Sequence, residues 1–193
     1  MTMAHRVVVA LTGASGAALG LRVLERLALR TDVETHAVLS PGAERTLRHE
    51  VGMDAPGRIA HLATHLHPCG DIGASIASGS FPTAGMIVAP CSMRSLAAIA
   101  TGLSDNLITR AADVHLKERR PLILLVRETP LHLGHLRNMV SVTEMGAVVM
   151  PPVPAFYQRP QSVSDIVDHL AARPIDLLRL PGAPEARAWT GLD

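Results

Sequence analysis

The stretch VVVALTGASGAALGLRVLERL, residues 7–27, contains the pattern that decides the fold. An apolar run, Val7–Leu11, leads into a turn of small residues, Thr12–Gly16, and a segment rich in alanine and leucine follows. The apolar run predicts a buried strand, and the leucine spacing of the later segment predicts a helix with one apolar face. The stretch therefore predicts the first β–α unit of an α/β protein.

The turn between this strand and helix has two interpretations. Glycine and serine at such a place are typical of loops whose backbone N–H groups face an anion. A tight strand–helix connection needs the same small residues, and the spacing matches neither G-x-G-x-x-G nor G-x-x-x-x-G-K-[ST]. The turn by itself leaves both interpretations open.

Farther along the chain, short apolar runs continue to alternate with longer helical patterns, which is typical of βαβ units around a parallel sheet. The predicted strands span residues 6–11, 33–39, 86–90, 122–126 and 147–150. The predicted helices span residues 17–30, 42–49, 92–100, 131–145 and 162–172. This organisation predicts one α/β domain.

Composition excludes several classes of protein. The net charge of +1, without a dense basic run, gives no support to nucleic-acid binding. Two cysteines make no disulfide framework and suit a reducing compartment. No stretch approaches the roughly 20 apolar residues that span a bilayer. We therefore expect a cytoplasmic protein.

Polar residues follow several predicted strands, and the carboxyl ends of parallel strands meet at one edge of a sheet. In APCSMRSLAAIATG, residues 89–102, Ser92 and Ser95 begin a predicted helix with Arg94 between them. Hydroxyls, free N–H groups and a cation suit a phosphate or a polar ring, although Ser92 could simply cap the helix. Arg127 and Glu128 directly follow another buried strand, where position favours a functional role over a surface ion pair.

The histidine-rich segment HLATHLHPC, residues 61–69, is the one candidate metal site in the sequence. His61 and His65 are four residues apart, and His67 and Cys69 follow. Because the sequence offers no second ligand cluster, we interpret the segment as solvated and predict no metal.

Four long motifs resemble the UbiX-type flavin prenyltransferases: TGASGAALG, DIGASIASGSF, APCSMRSLAAIATGLSDNLITRAADVHLKERRPLILLVRETPL and MGAVVMPPVPAFYQRPQSVSDIVDHL. The similarity extends from residue 6 to about residue 180. It implies a three-layer, doubly wound parallel sheet of the flavodoxin-like or Rossmann-like kind, with a flavin-binding domain (residues 1–180) and a C-terminal arm (residues 181–193). It also implies a homododecamer without a metal.

The resemblance further implies a reaction. The dimethylallyl group of dimethylallyl monophosphate is transferred to N5 and C6 of reduced FMN, and phosphate is released. The product, prenylated FMN, serves a partner decarboxylase of the UbiD type.

The same resemblance assigns roles to individual residues. FMN would be bound by Gly13, Ala14, Ser15, Ser40, Ser92, Met93, Arg94, Ser95, Arg110 and Arg127. Dimethylallyl monophosphate would be bound by Lys117, Tyr157 and Arg173, in a site shared between subunits. The catalytic residues would be Ser15, Glu50, Glu128 and Trp189. Glu50 would be an unremarkable exposed carboxylate on sequence alone.

The chain departs from the family pattern at four places, one of which is a tail that is one residue longer before Trp189. Leu19 stands where many relatives carry an aromatic residue, and Gly70 stands where an arginine is common. Pro174 follows Arg173 and is expected to bend the last helix and to move that arginine.

Two other functions remain open on sequence. One is a lyase like the flavin-dependent cysteine decarboxylases, although residues 90–95 do not match the segment that they use. The other is a non-catalytic FMN carrier, because binding and chemistry share most of the residues.

Overall fold

The opening stretch forms β1 (His5–Leu11) and α1 (Ala17–Ala28) in the structure, a computed structural model that describes residues 4–191. Within that range the other strands are β2 (Val33–Leu39), β3 (His65–His67), β4 (Gly85–Cys91), β5 (Leu122–Val126) and β6 (Val148–Val149). The other α-helices are α2 (Pro41–Glu50), α3 (Ala55–Leu62), α4 (Met93–Ala100), α5 (Leu107–Lys117), α6 (Leu133–Glu144) and α7 (Val163–Leu177). Short 3₁₀ turns occur at Ser75–Ala77 and Phe156–Gln158.

All strands pair in parallel, in the order β3-β2-β1-β4-β5-β6. This is the Rossmann order, and removal of the three-residue edge strand β3 leaves the flavodoxin order. The predicted doubly wound parallel sheet is therefore confirmed. The order reverses between β1 and β4, and open α/β sheets bind ligands at such a switch point.

The sheet is buried on both faces, which accounts for the continuous apolar runs of its strands. Val7 and Val9 face a core cluster that includes leucines of α1 and α7, whereas Val8 and Ala10 face a second cluster with α4 and α5. These two cores make the three layers that were predicted.

The helix α7 differs from its prediction. It continues through Pro174 to Leu177, whereas the sequence pattern predicted an end near residue 172. Ala171, Pro174 and Ile175 are all buried in the core, so packing outweighs the local preference of proline to end a helix.

The C-terminal segment folds back onto the domain as far as it is described. Asp176 accepts hydrogen bonds from the backbone N–H groups of Glu185 and Ala186, at 2.6 and 3.2 Å. Arg26 pairs with Glu185 at 3.0 Å. Residues 192–193 of the predicted arm lie outside the described residues.

Across residues 4–191, every helix is too short or too polar to cross a membrane.

Candidate functional site

A cavity of about 680 Å³ opens at the switch point between β1 and β4. Its walls come from loops that follow β1, β2, β3 and β4 and from the segment before α5. The lining residues are Thr12, Gly13, Ser40, Pro41, Gly42, Arg45, Cys69, Gly70, Ser92, Arg94, Ser95, Asp105 and Asn106. Five of the residues that the sequence assigned to FMN lie in this wall: Gly13, Ser40, Ser92, Arg94 and Ser95.

Thr12 ties the loops after β1 and β4 together. Its side chain is buried; the hydroxyl donates to the Pro90 carbonyl at 2.8 Å and accepts from the Ser92 backbone N–H at 2.8 Å. Buried polar groups without partners cost about 1–3 kcal/mol, so these paired bonds hold the two loops in register. Thr12 is a positioning residue that the sequence motifs did not single out.

Two helix N-termini face the cavity, and each has a serine cap. The Ser40 hydroxyl accepts from Ala43 N–H at 3.1 Å, and the Ser92 hydroxyl accepts from Ser95 N–H at 3.3 Å. Capping by Ser40 and by Ser92 is therefore observed. The first N–H groups of a helix have no partner within the helix, so α2 and α4 also present donors with partial positive charge toward an anion.

Gly13 is packed against Gly42, in the first turn of α2. A Cβ atom added at Gly13 would lie 3.0 Å from the Cα of Gly42, and one added at Gly42 would lie 3.1 Å from the Cα of Gly13. The β1 loop and the start of α2 approach so closely because neither residue has a side chain. Gly42 was not identified from the sequence, since its role depends on a residue 29 positions away.

Two arginines lie at the cavity, and one of them has an acidic neighbour. Arg94 pairs with Asp105 at 2.5 Å, and Asp105 also accepts from the Asn106 side chain at 2.8 Å. Arg45 lines the same wall and was not predicted. The mouth of the cavity thus combines two guanidinium groups with a hydrogen-bonding carboxylate and amide, which suits a ligand with a phosphate and polar edges.

Glu50 lies at the start of α1, although it belongs to the end of α2. Its carboxylate accepts from the N–H groups of Gly16 and Ala17 at 2.8 and 2.9 Å. Partial burial raises the pKa of Glu50, but hydrogen bonds from Ser15, Ala17 and Gly16 and the nearby charge of Arg127 outweigh it and hold the pKa below its usual value. The structure therefore brings Ser15, Glu50 and Arg127 together, with Glu50 ionised at neutral pH.

Several predicted FMN residues make other contacts. Met93 packs against the core, and Ala14 is half-buried in the turn that follows β1. Arg110 donates to the carbonyl of Ala77 at 3.2 Å and pairs with Asp113 at 2.8 Å. In the part of the chain that is described, Met93, Ala14 and Arg110 are outside the set that lines the cavity.

The predicted substrate residues belong to three different elements of the chain. Lys117 pairs with Glu118 at the end of α5, and Arg173 is an exposed residue of α7 whose nearest carboxylate is Asp176 at 3.8 Å. Tyr157 and Trp189 line a second cavity of about 530 Å³, with ring centroids 5.1 Å apart in an edge-to-face arrangement. The Glu128 carboxylate accepts from Thr129 N–H at 3.0 Å beside the end of β5.

The chain is similar to known proteins over nearly its whole length. The family model described as Flavoprotein matches residues 1–174. The flavin prenyltransferase UbiX of Neisseria meningitidis serogroup B is 53% identical over 190 residues, which are 98% of this chain and 99% of that protein.

Two solved structures are similar over nearly the whole chain. The crystal structure of AnUbiX (PadA1) in complex with FMN and dimethylallyl pyrophosphate has a TM-score of 0.91 at 49% identity and covers 98% of this chain and 100% of that one. The dodecameric FMN-dependent UbiX-like decarboxylase of Escherichia coli O157:H7 has a TM-score of 0.91 at 47% identity and covers 96% and 100%.

The sequence identity and the shared architecture agree over the full length of the domain. The family resemblance found in the motifs is therefore confirmed. The chain belongs to the UbiX-like flavin prenyltransferases of the flavoprotein family.

Proposed function

We propose that this protein transfers a dimethylallyl group from dimethylallyl monophosphate to N5 and C6 of reduced FMN, releasing phosphate and forming prenylated FMN. The observation that carries the proposal is the 680 Å³ cavity at the switch point, whose wall contains Gly13, Ser40, Ser92, Arg94 and Ser95. The comparisons support it, since a relative 53% identical is a flavin prenyltransferase and a solved relative contains FMN with a dimethylallyl compound.

The cavity has the chemistry that FMN requires. The N-termini of α2 and α4, with Arg45 and Arg94, would hold the phosphate and polar edges, and Gly13 lets the β1 loop approach closely. Reduced FMN supplies a nucleophilic N5 when bound. The ionised Glu50, with Ser15 beside it, is suited to accept the proton released from N5.

Transfer of the allyl group requires protein groups that stabilise charges of opposite sign on the two parts of the donor. Breakage of the allylic C–O bond leaves positive charge on carbon and negative charge on phosphate. Lys117, Arg173 and the Tyr157 hydroxyl would stabilise the leaving phosphate, and Glu128 would supply a proton to it. The indole of Trp189 would face the allyl cation, an attraction worth about 0.5–2 kcal/mol.

We further propose that each site is shared between subunits of a homododecamer. Lys117 ends α5, Tyr157 lies beside Trp189 in the second cavity, and Arg173 is exposed on α7, so we expect the site to use neighbouring copies of the chain. A related UbiX-like protein is dodecameric. The division into a flavin-binding domain, residues 1–180, and an arm, residues 181–193, belongs to the same proposal because Trp189 lies in the arm.

The product would serve as the cofactor of another enzyme. We propose that prenylated FMN passes to a UbiD-type decarboxylase in the cytoplasm, since the two free cysteines and the reduced flavin suit reducing conditions.

The direct test is incubation of the protein with FMN, a reductant and dimethylallyl monophosphate without oxygen, followed by mass analysis of the flavin. We expect a gain of one prenyl unit and release of phosphate. Parallel reactions with the diphosphate separate the two donors. A flavin of unchanged mass with both donors would refute the transferase proposal and leave an FMN carrier; oxidation of a peptidyl cysteine would support the lyase instead.

A mixing experiment tests the shared site. Glu50→Gln damages the flavin side and Tyr157→Phe damages the donor side. Hybrid oligomers of the two variants contain some sites with both groups intact, so activity should exceed that of either variant alone. Absence of any recovery in verified hybrids would place Glu50 and Tyr157 of one chain in the same site.

A further inference from the structure

A cluster of histidine and glutamate side chains lies on the sheet at the β2–β3 edge. Glu34 Oε1 is 3.1 Å from His36 Nε2 and 3.1 Å from His65 Nε2. The strand register pairs His36 with His65, so both rings point to one face of the sheet. The ligand atoms of Glu34, His36 and His65 lie within 4.8 Å of one another.

The surrounding groups orient these three side chains. Without a metal ion, the Nε2–H groups of His36 and His65 donate to Glu34. The other His36 tautomer, with its proton on Nδ1 2.9 Å from His67 Nε2, frees the Nε2 lone pair for a cation. Arg6 binds the other carboxylate oxygen of Glu34 at 3.3 Å. Ligating histidines in metal sites donate their second ring N–H in the same way, and ligating carboxylates are hydrogen-bonded too.

Packing holds the central histidine in place. His36 is 2% exposed. Its ring stacks on the rings of His65 and His67, with centroids 4.7 and 5.2 Å away.

The spacing suits a transition-metal ion. With bonds of about 2.0–2.1 Å, donors 3.1 Å apart subtend roughly 100° at the metal, between octahedral and tetrahedral values. His65 is exposed and can turn its ring to complete the set. Imidazole and carboxylate donors together favour Zn²⁺ over the harder Mg²⁺ and Ca²⁺.

We propose that Glu34, His36 and His65 bind one Zn²⁺ ion, with solvent in the remaining positions. The site differs from the one that the sequence suggested, because His61 belongs to α3 and Cys69 lines the flavin cavity. Two of the three ligands come from β2, and only the pairing of β2 with β3 brings His65 to them. The site is roughly 13 Å from Ser40 along β2, at 3.3 Å per residue, so its role is separate from prenyl transfer.

The test uses the untagged, FMN-loaded, full-length protein after treatment with a chelator. Zn²⁺ binding is measured by competition with a chromophoric chelator, and Co²⁺ provides an absorption spectrum of the site. We expect one ion per chain, an increase in Tm with Zn²⁺, and a loss of affinity of more than about 10-fold in His65→Ala and in Glu34→Gln. His61→Ala, four residues from His65 in the same segment, is the matched control and should bind Zn²⁺ like the wild type.

His65 is exposed, so its replacement should leave the fold intact, and unchanged FMN binding verifies this. Binding by the wild type no stronger than by folded His65→Ala would overturn the proposal. Equal losses of Zn²⁺ affinity in His61→Ala and His65→Ala would overturn it as well, since they would indicate a site formed by the segment of residues 61–69 alone.

Discussion

At the scale of single residues, Glu50 shows how position in the fold creates a functional group. In the sequence it is the last residue of a polar helix, yet its carboxylate caps the N-terminus of α1 and lies beside Ser15 and Arg127. Gly16, the residue before α1, makes no side-chain cap of its own. The carboxylate therefore stabilises the helix start and is held there in its ionised form.

Replacement of Glu50 by glutamine tests its role as a base. The amide oxygen can still accept from the α1 N–H groups, but the side chain can no longer take up a proton. We expect FMN affinity near the wild-type value and prenyl transfer slower by about 10²–10⁴-fold. Glu44→Gln is the control, because the half-buried Glu44 lies in the same helix and its side chain pairs with Arg48, at 3.5 Å. Wild-type turnover by Glu50→Gln would contradict the assignment.

Replacement of Thr12 by valine tests the connection between the two cavity loops. Valine has nearly the same shape but leaves the Pro90 carbonyl and the Ser92 N–H without their partner. We expect a loss of about 2–3 kcal/mol in the free energy of unfolding and weaker FMN binding. Urea unfolding and fluorescence titration measure the two effects. Thr12→Ser keeps the hydroxyl and should retain FMN affinity. Equal losses of FMN affinity in Thr12→Val and Thr12→Ser would mean that packing of the methyl group, and not the hydrogen bonds of the hydroxyl, holds the loops.

At the scale of elements, the distance between α1 and β4 depends on a glycine. A Cβ atom at Gly20 would lie 2.2 Å from the Ala89 carbonyl oxygen and 2.5 Å from Leu11. The Ala89 atom belongs to the backbone of a buried strand, so it cannot move aside cheaply. α1 therefore sits close to the sheet because residue 20 has no side chain, and this closeness places Gly16 beside the cavity.

Two glycine-to-alanine replacements should have opposite effects on stability. Gly20→Ala must push α1 away from β4, and we expect a loss of at least about 1–3 kcal/mol. Gly57→Ala lies in α3, where a Cβ atom meets nothing within 4 Å in the described part of the chain, and should stabilise by up to about 1 kcal/mol. Thermal unfolding compares them directly. A Tm for Gly20→Ala at or above that of the wild type would contradict the tight packing of α1.

At the scale of the whole molecule, two buried histidines link stability to pH. His115 is fully buried; its Nδ1 donates to the Ala111 carbonyl at 2.7 Å, so its Nε2 accepts from the Thr83 hydroxyl at 2.9 Å. Burial lowers the pKa of His115 from 6.5 to about 4, and His36 is lowered to about 4 as well. Both rings are therefore neutral in the folded protein at pH 5, where an unfolded chain protonates them.

Acid should accordingly destabilise the protein in a defined interval. Below pH 6.5 the unfolded chain binds protons that the folded chain cannot bind until about pH 4, so the free energy of unfolding falls across that interval. The contribution of each histidine is up to about 3 kcal/mol. Urea unfolding of metal-free protein between pH 7 and pH 5 measures the slope, and His115→Gln should reduce it by about half. An unchanged slope would mean that other titratable groups cause the pH dependence of the free energy of unfolding.

Local patterns in the sequence determined most of the framework. The alternation of apolar runs with leucine-spaced segments predicted β1, β2, β5 and their helices within one or two residues, because burial of one face depends mainly on residues near in the chain. The same topology predicted the sheet edge where Ser40, Ser92 and Arg94 now line one cavity. The long sequence motifs were enough to identify the flavoprotein family.

Tertiary structure decided what depends on contacts between distant segments. The strand β3 has three residues, two of them histidines, and only pairing with β2 makes it a strand. Glu50 accepts a hydrogen bond from Gly16, 34 positions away, and Thr12 accepts one from Ser92, 80 positions away. Pro174 remains in a helix because its side chain is buried. Such contacts result from the packing of whole elements against one another, and no local period in the sequence encodes them.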